Sequence, residues 1–185
     1  KQLAIPPAWQ DVWICSRPDG HIQATGRDEQ GRKQYIYHPA WSETRSQAKY
    51  ASLTGFASGL PGLRRRVTRD LAAASDTPDH RTVTAAIVSL LDRTLMRVGN
   101  WRYARSNGSY GLTTLQDEHV EVHGEELHFS FRGKSGKDHD ITLRNRKLAR
   151  IVRLCQELPG QDLFQYEDED GELRVIDSAD VNGYV

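Results

Sequence analysis

Between residues 83 and 98 apolar side chains recur at helical spacing, at Val83, Ile87, Leu90, Leu91, Leu95 and Val98, whereas from Val120 onward they alternate. That change of period constrains the fold class, because recurrence every 3.6 residues builds one buried helix stripe and recurrence every second residue builds one buried sheet face. In the alternating stretch Leu127, Phe129 and Phe131 point one way and His128, Ser130 and Arg132 the other. Gly133-Lys134-Ser135-Gly136 then turns the chain, and Ile141 and Leu143 continue on the returning strand. The spacing predicts a hairpin with Lys134 at its tip, and Val120 with Val122 supplies a further strand.

The flanking regions have their own textures. Residues 12–15, 21–25 and 33–37 are short β-like pieces separated by Pro18-Asp19-Gly20 and Gln30-Gly31, which reads as a small antiparallel sheet. After His38-Pro39 the texture is helical, with helices expected over 42–58 and 62–74 and a break at Gly59, Pro61 and Gly62. A boundary near residue 45 follows, dividing a module of 1–45 from a larger lobe of 46–185. Ser75-Asp76-Thr77-Pro78 stops one helix and restarts the next, and that next helix, carried through Val98, puts Arg97 on the face of Val83 and Leu90. A charge on that buried face is costly without a partner, and snorkelling at a helix C-terminus is the plainer reading of Arg97. Further helices are expected over 145–158, closed by Pro159-Gly160, and from Ser178. The class is α+β: a small β-rich N-terminal module and a mostly helical lobe bearing a three-stranded antiparallel sheet.

Composition excludes several chemistries. A chain of 185 residues can bury one good core, or a small module plus a larger one. No apolar run approaches the roughly 20 residues that span a bilayer, so no membrane partner is expected and a cytoplasmic protein is the default. Cys15 and Cys155 are the only cysteines and lack CxxC spacing, so two buried thiols are expected rather than a disulfide framework. His119, His123 and His128 lack a matching Cys or carboxylate arrangement, and no metal site is expected. Gly133-Lys134-Ser135 ends like a phosphate-binding loop, but His128 stands where the first Gly is needed and strand follows, so ATP is disfavoured and no cofactor is expected. Formal net charge is zero, with 25 basic and 25 acidic residues, yet the two signs are segregated. Basic blocks at 64–69, 97–105 and 132–153 stand against an acidic run at 157–172, a distribution to which a polyanion responds as readily as solvent does.

Two motifs bring the basic residues to a chemistry. Met96 to Leu115 reads MRVGNWRYARSNGSYGLTTL and Phe131 to Asp138 reads FRGKSGKD, placing Arg97 and Lys134 on separate elements where both could close on one phosphate. With LPGLRRRV, LPGQDLFQYEDEDG and SADVNGYV, these motifs resemble the type IB DNA topoisomerases, especially the compact bacterial branch related to the poxvirus enzyme. The resemblance covers essentially the whole chain, including the spacing of Arg97 and Lys134. It implies ATP- and metal-independent relaxation of supercoiled double-stranded DNA, by cleavage of one strand through a 3′-phosphotyrosyl link and religation, in a monomer acting on the nucleoid. By this resemblance Arg97 is the catalytic Arg that holds the nonbridging oxygens of the scissile phosphate, and Lys134 protonates the leaving 5′-oxygen. Tyr103, Asn107, Ser109 and Thr114 fall on positions that contact backbone phosphates, and Asn100 stands where the poxvirus branch has Lys, an uncharged and weaker contact.

The resemblance also carries departures. The family completes its site with a second Arg, a His or Asn and a nucleophilic Tyr beyond the position matched by Val185, so the chain is expected to be a fragment that cannot cleave by itself. Tyr184 belongs to the helix ahead of that segment and is rejected as nucleophile. The amino-terminal sheet is likewise expected to lack strands that precede Ile5-Pro6-Pro7-Ala8-Trp9 in relatives. Two other functions compete: a tyrosine site-specific recombinase, which shares the Arg and hairpin Lys, and a duplex-DNA-binding module without chemistry.

Overall fold

Three short strands, β1 (Gln10–Ile14), β2 (Ile22–Arg27) and β3 (Lys33–Tyr37), pair antiparallel in that order. The computed structural model describes residues 3–185, apart from the side chains of Arg102 and Tyr103. β1 carries an irregularity between Gln10 and Trp13, where Asp11 takes a φ of 51°. The strands lie within a residue or two of the expected ones, the scatter usual for element ends. Ala24 and Gly26 of β2 are buried, and the Trp9 ring lies against Gly26 so closely that a Cβ there would be 2.5 Å from Cε3. Val12, Trp13, Ile14, Tyr35 and Tyr37 are exposed.

α1 (Pro39–Ala72) is one helix, where the sequence predicts two. Pro61 lies inside it and forfeits one backbone hydrogen bond. Nearly every side chain from Pro39 to Leu60 is exposed, so the carbonyl left without a donor is solvated and the break signal is overridden. By packing the chain divides into two units, 1–60 and 61–185. The boundary expected near residue 45 follows from where helical composition sets in after His38-Pro39, whereas packing is decided by where α1 begins to bury Val67, Asp70 and Leu71.

In the second unit the core is built around α2 (His80–Thr94), whose residues from Thr82 to Leu90 are all buried. Asp79 caps it, its carboxylate accepting from the Thr82 N–H at 2.6 Å. β4 (Val120–His123), β5 (Glu126–Arg132) and β6 (Asp138–Arg144) form the antiparallel sheet expected from the alternation, with Leu127 paired to Leu143 and Phe129 to Ile141. Burying Leu127 and Phe129 completely contributes about 1.5–3 kcal/mol each. α4 (Arg146–Gln156), capped by Asn145, buries Leu148, Ala149, Ile151, Val152 and Cys155 and turns its basic side chains outward. A short hairpin, β7 (Gln165–Glu167) and β8 (Leu173–Val175), frames the acidic turn, and α5 (Ser178–Tyr184) begins where expected. Cys155 is buried, and burial pushes its thiol up to about 12, whereas Cys15 is only half-buried, against the expectation for it.

Candidate functional site

α3 (Trp101–Asn107) and the segments on either side of it set out most of the residues singled out in the sequence. α2 stops at Thr94 and does not run to Val98. Leu95 takes a left-handed φ of 58° and its N–H still reaches the Leu91 carbonyl. The Thr94 hydroxyl donates to the Leu90 carbonyl at 2.7 Å and accepts from the Met96 N–H at 3.3 Å, closing the helix end without a glycine. Met96 is buried and Val98 half-buried, so apolar spacing continues through a non-helical segment and conceals the stop. Arg97 is therefore exposed, a correction to its placement on the buried helix face.

The segment bearing Arg97 is held against residues 111–113 by backbone. Leu112 N–H donates to the Arg97 carbonyl at 2.9 Å, and both the N–H and the hydroxyl of Thr113 donate to the Val98 carbonyl, at 2.7 and 3.0 Å. Two glycines make this approach possible. A Cβ on Gly111 would stand 2.6 Å from the Gly99 Cα and 2.7 Å from the Arg97 carbonyl oxygen, and Gly99 itself has a φ of 108°. Thr114 is fully buried, and its hydroxyl accepts from the Gly111 N–H and donates to the Gly111 carbonyl, each at 3.0 Å. The structure places Thr114 inside, where a surface contact is expected of it, with its hydroxyl proton and one acceptor lone pair engaged by the Gly111 peptide units.

The hairpin that bears Lys134 is tied to the same strip of chain. Tyr110 N–H donates to the carbonyl of Arg132, the last residue of β5, at 2.8 Å. The donors to Arg132 and Arg97 are the amides of Tyr110 and Leu112, so the two donor nitrogens are at most about 7 Å apart. Beyond Arg132 the tip is a single tight turn, in which Gly133 N–H donates to the Lys137 carbonyl at 2.7 Å and Gly136 N–H to the Gly133 carbonyl at 3.1 Å. Lys134 is exposed there, as the sequence predicts, and Ser135 takes a φ of 64°.

Asn100 precedes α3, its carbonyl accepting from the Ala104 N–H, and its side chain is exposed. Asn107 is exposed at the end of α3. The Ser109 hydroxyl, half-buried, donates to the Asn107 carbonyl at 3.4 Å. The side chain of Tyr103 lies outside the described residues. Arg97, Lys134, Asn107 and Ser109 are thus borne by the chain on either side of the 110–113 strip, and Thr114 lies beneath it.

Electrostatics separates the basic blocks. Arg64 is held by Asp92 through two hydrogen bonds of 2.8 and 2.9 Å, and Arg66, Arg69 and Arg81 lie around the fully buried Asp70. Arg150 is spent on Asp76 and on two carbonyls, and Arg144 faces Glu125. Among the described residues, no ion pair engages Arg97, Lys134 or Lys137, so their charge remains for an anion. No group of His, Cys, Asp and Glu able to hold a metal ion occurs among the described residues. Reasoning from sequence missed Tyr110 and Gly111, which hold the strip, and His139, which lies against Gly133 at the tip. Gly111 itself was the signal for the strip, whereas nothing adjacent in sequence marks His139, which meets Gly133 only across the turn.

Tyr184 occupies a different place. It is buried, its hydroxyl donates to Asp70 Oδ2 at 2.8 Å, and the Arg66 guanidinium covers its ring at 4.0 Å. Burial and the Asp70 carboxylate hold its phenol protonated well above the usual range. For Asp70 burial acts upward, but the Tyr184 hydroxyl, Arg69 and Arg81 outweigh it and hold the carboxyl below its ordinary value.

Comparison with known proteins decides the family. Residues 38–185 match the model of the catalytic core of eukaryotic DNA topoisomerase I, and residues 1–28 match the N-terminal domain of bacterial DNA topoisomerase IB. The chain belongs to the type IB DNA topoisomerases. Among relatives in this family, the DNA topoisomerase 1B of Acanthamoeba polyphaga mimivirus is 34% identical over 190 residues, covering 100% of this chain and 55% of that protein. The DNA topoisomerase I of Monkeypox virus and the DNA topoisomerase 1B of Vaccinia virus (strain Copenhagen) are each 21% identical over 142 residues, covering 75% of this chain and 45% of theirs. The chain thus spans about half the length of the type IB topoisomerases it matches.

Proposed function

We propose that the protein relaxes supercoiled duplex DNA in the cytoplasm, as a monomer on the nucleoid, with Arg97 and Lys134 acting on one scissile phosphate. What supports this reading is the arrangement of two exposed cations, without an ion pair among the described residues, on segments tied to one strip of backbone: the Arg97 carbonyl to Leu112, and the last residue of the Lys134 strand to Tyr110. A tyrosine oxygen, its phenolic proton released to solvent, attacks phosphorus, forming a P–O bond as the P–O5′ bond breaks and conserving the phosphoester for religation; on religation the phenolate leaves and is reprotonated. Arg97 holds the nonbridging oxygens with its planar fork as negative charge grows on them. Lys134 gives a proton to the departing O5′ and is left as the neutral amine, which takes the proton back on religation. Tyr184 is not that nucleophile in this reading, since its oxygen is buried against Asp70. Asn107, Ser109, Asn100 and Tyr103 make positioning contacts to neighbouring phosphates, and Thr114 acts from within by holding Gly111.

The test is incubation of the full-length protein with supercoiled plasmid in chelator and without ATP. Relaxation with a covalent protein link at a 3′-phosphate is expected; no relaxation, or relaxation that needs ATP, refutes the reading. Arg97→Lys should then lower the cleavage rate by about 10²–10³, the cost of one lost donor to a developing oxyanion. Near-normal cleavage by that variant removes Arg97 from the site.

A further inference from the structure

Along the inner face of β5 and β6 the cross-strand pairs run Leu127 with Leu143, Phe129 with Ile141, and then Phe131 with His139. An aliphatic residue would continue the pattern at the last rung. The sequence puts an imidazole there. Its ring lies parallel to that of Phe131, with centroids 4.8 Å apart and planes 9° apart. Its other neighbour is the tip: a Cβ on Gly133 would stand 2.5 Å from His139 Nε2 and 2.6 Å from Cδ2. Gly133 directly precedes Lys134, so a flat ring fills the space between the buried Phe131 and the backbone that starts the turn. At the far side of the turn Gly136 lies against the Arg132 guanidinium, whose Nη2 a Cβ there would meet at 2.9 Å. Phe131 in turn lies 6.4 Å from the ring of His119, whose Nδ1 accepts from the Gln116 N–H. The imidazole thus has a floor anchored in the core.

We propose that His139 is a positioning residue for Lys134: its ring, braced on Phe131, fixes the backbone at Gly133 and so the place from which the ammonium reaches the leaving oxygen. The inference rests on the general-acid reading of Lys134. His139 itself gives and takes no proton in the step; it acts through the shape of the turn. Flatness is the property this role uses, since the imidazole lies parallel to the Phe131 ring and so close to Gly133 that a Cβ there would meet it at 2.5 Å.

The experiment uses the full-length protein and two duplex substrates, one with an ordinary 5′-oxygen at the scissile bond and one with a 5′-thiolate leaving group, which needs no protonation. Lys134→Ala, His139→Ala and His139→Phe are compared in single-turnover cleavage, with thermal melting as a check of folding. His139→Ala should lose about 10- to 100-fold on the oxygen substrate, the effect of displacing a catalytic group by about an ångström, and less than about threefold on the thiolate. His139→Phe keeps a flat ring on Phe131 and should restore cleavage of the oxygen substrate to within about threefold of the parent. Equal losses with both substrates for His139→Ala, beside a selective loss for Lys134→Ala, overturn the inference and leave the role of Lys134 standing. A selective loss for His139→Phe also overturns it, because the imidazole would then act chemically. If His139→Ala does not fold, the phenylalanine variant decides alone. Equal losses with both substrates for Lys134→Ala overturn the general-acid reading, and the positioning role falls with it.

Discussion

Gly111→Ala tests whether the approach of backbone to backbone beneath Arg97 governs the site. The added methyl would stand 2.6 Å from the Gly99 Cα, 2.7 Å from the Gly99 N and 2.7 Å from the Arg97 carbonyl oxygen. All three are main-chain atoms, so no side-chain rotation relieves the clash. Ordinary contact needs roughly 3.4 Å or more between such atoms, so segment 97–99 must retreat by most of an ångström. That retreat breaks or lengthens the bonds from Leu112 and Thr113 to the Arg97 and Val98 carbonyls. Overpacking of this kind costs about 1–3 kcal/mol. Against it stands only about 0.4–1 kcal/mol from the smaller entropy of the unfolded chain, since the φ of −151° at Gly111 suits alanine. A net loss of roughly 1–2 kcal/mol is expected from urea unfolding, with a fall of about 10²-fold in single-turnover cleavage by the full-length protein. The two readouts are informative together: unchanged stability and cleavage would show that the strip does not hold Arg97, and lost stability with full cleavage would show that its position does not matter.

The remaining predictions concern the Asp70 cluster. Tyr184→Phe removes a hydrogen bond to a fully buried carboxylate and should cost about 1.5–3 kcal/mol in urea unfolding, while covalent adduct formation by the full-length protein persists. Loss of the adduct at unchanged stability would make Tyr184 the nucleophile. The Asp70 carboxyl has a folded-state pKa below its unfolded value, so its stabilisation is complete above about pH 3.9 and is lost as the pH falls through the lower folded-state value. Asp70→Asn should therefore be less stable than the parent at pH 7, by about 1–3 kcal/mol, and the gap should narrow below about pH 4. A gap independent of pH would show that the carboxylate charge is not what Arg66, Arg69, Arg81 and Tyr184 stabilise.

Much of the fold was legible because it obeys local rules. The alternation from Leu127 to Leu143 and the glycine-framed turn define a hairpin whose register needs no other information, and Lys134 lands at its tip in sequence and structure alike. Helix starts near Asn145 and at Ser178 were legible too, and in the structure each is fixed by a capping side chain, Asn145 and Asp177, that accepts within three residues. The sequence also marked where positive charge gathers, though it could not tell which of those charges would be neutralised. Arg64 looks like Arg97 in sequence, and only folding brings Asp92, 28 residues away, to Arg64 while no ion pair among the described residues reaches Arg97.

What the chain determined by itself is the periodic part: a buried helix from residue 82 to 90, a two-faced hairpin, and a basic tip. What tertiary structure decided is where each period ends and what lies behind it. The helix stop at Leu95 is invisible locally because Met96 and Val98 continue the apolar spacing after the backbone has left the helix. The burial of Thr114 depends on a peptide unit three residues away being pressed against residues 97–99, and the imidazole of His139 gains its meaning from the glycine it meets across the turn. Such contacts join residues through space at distances that no periodicity encodes, which is why the cations could be named from sequence and their supports could not.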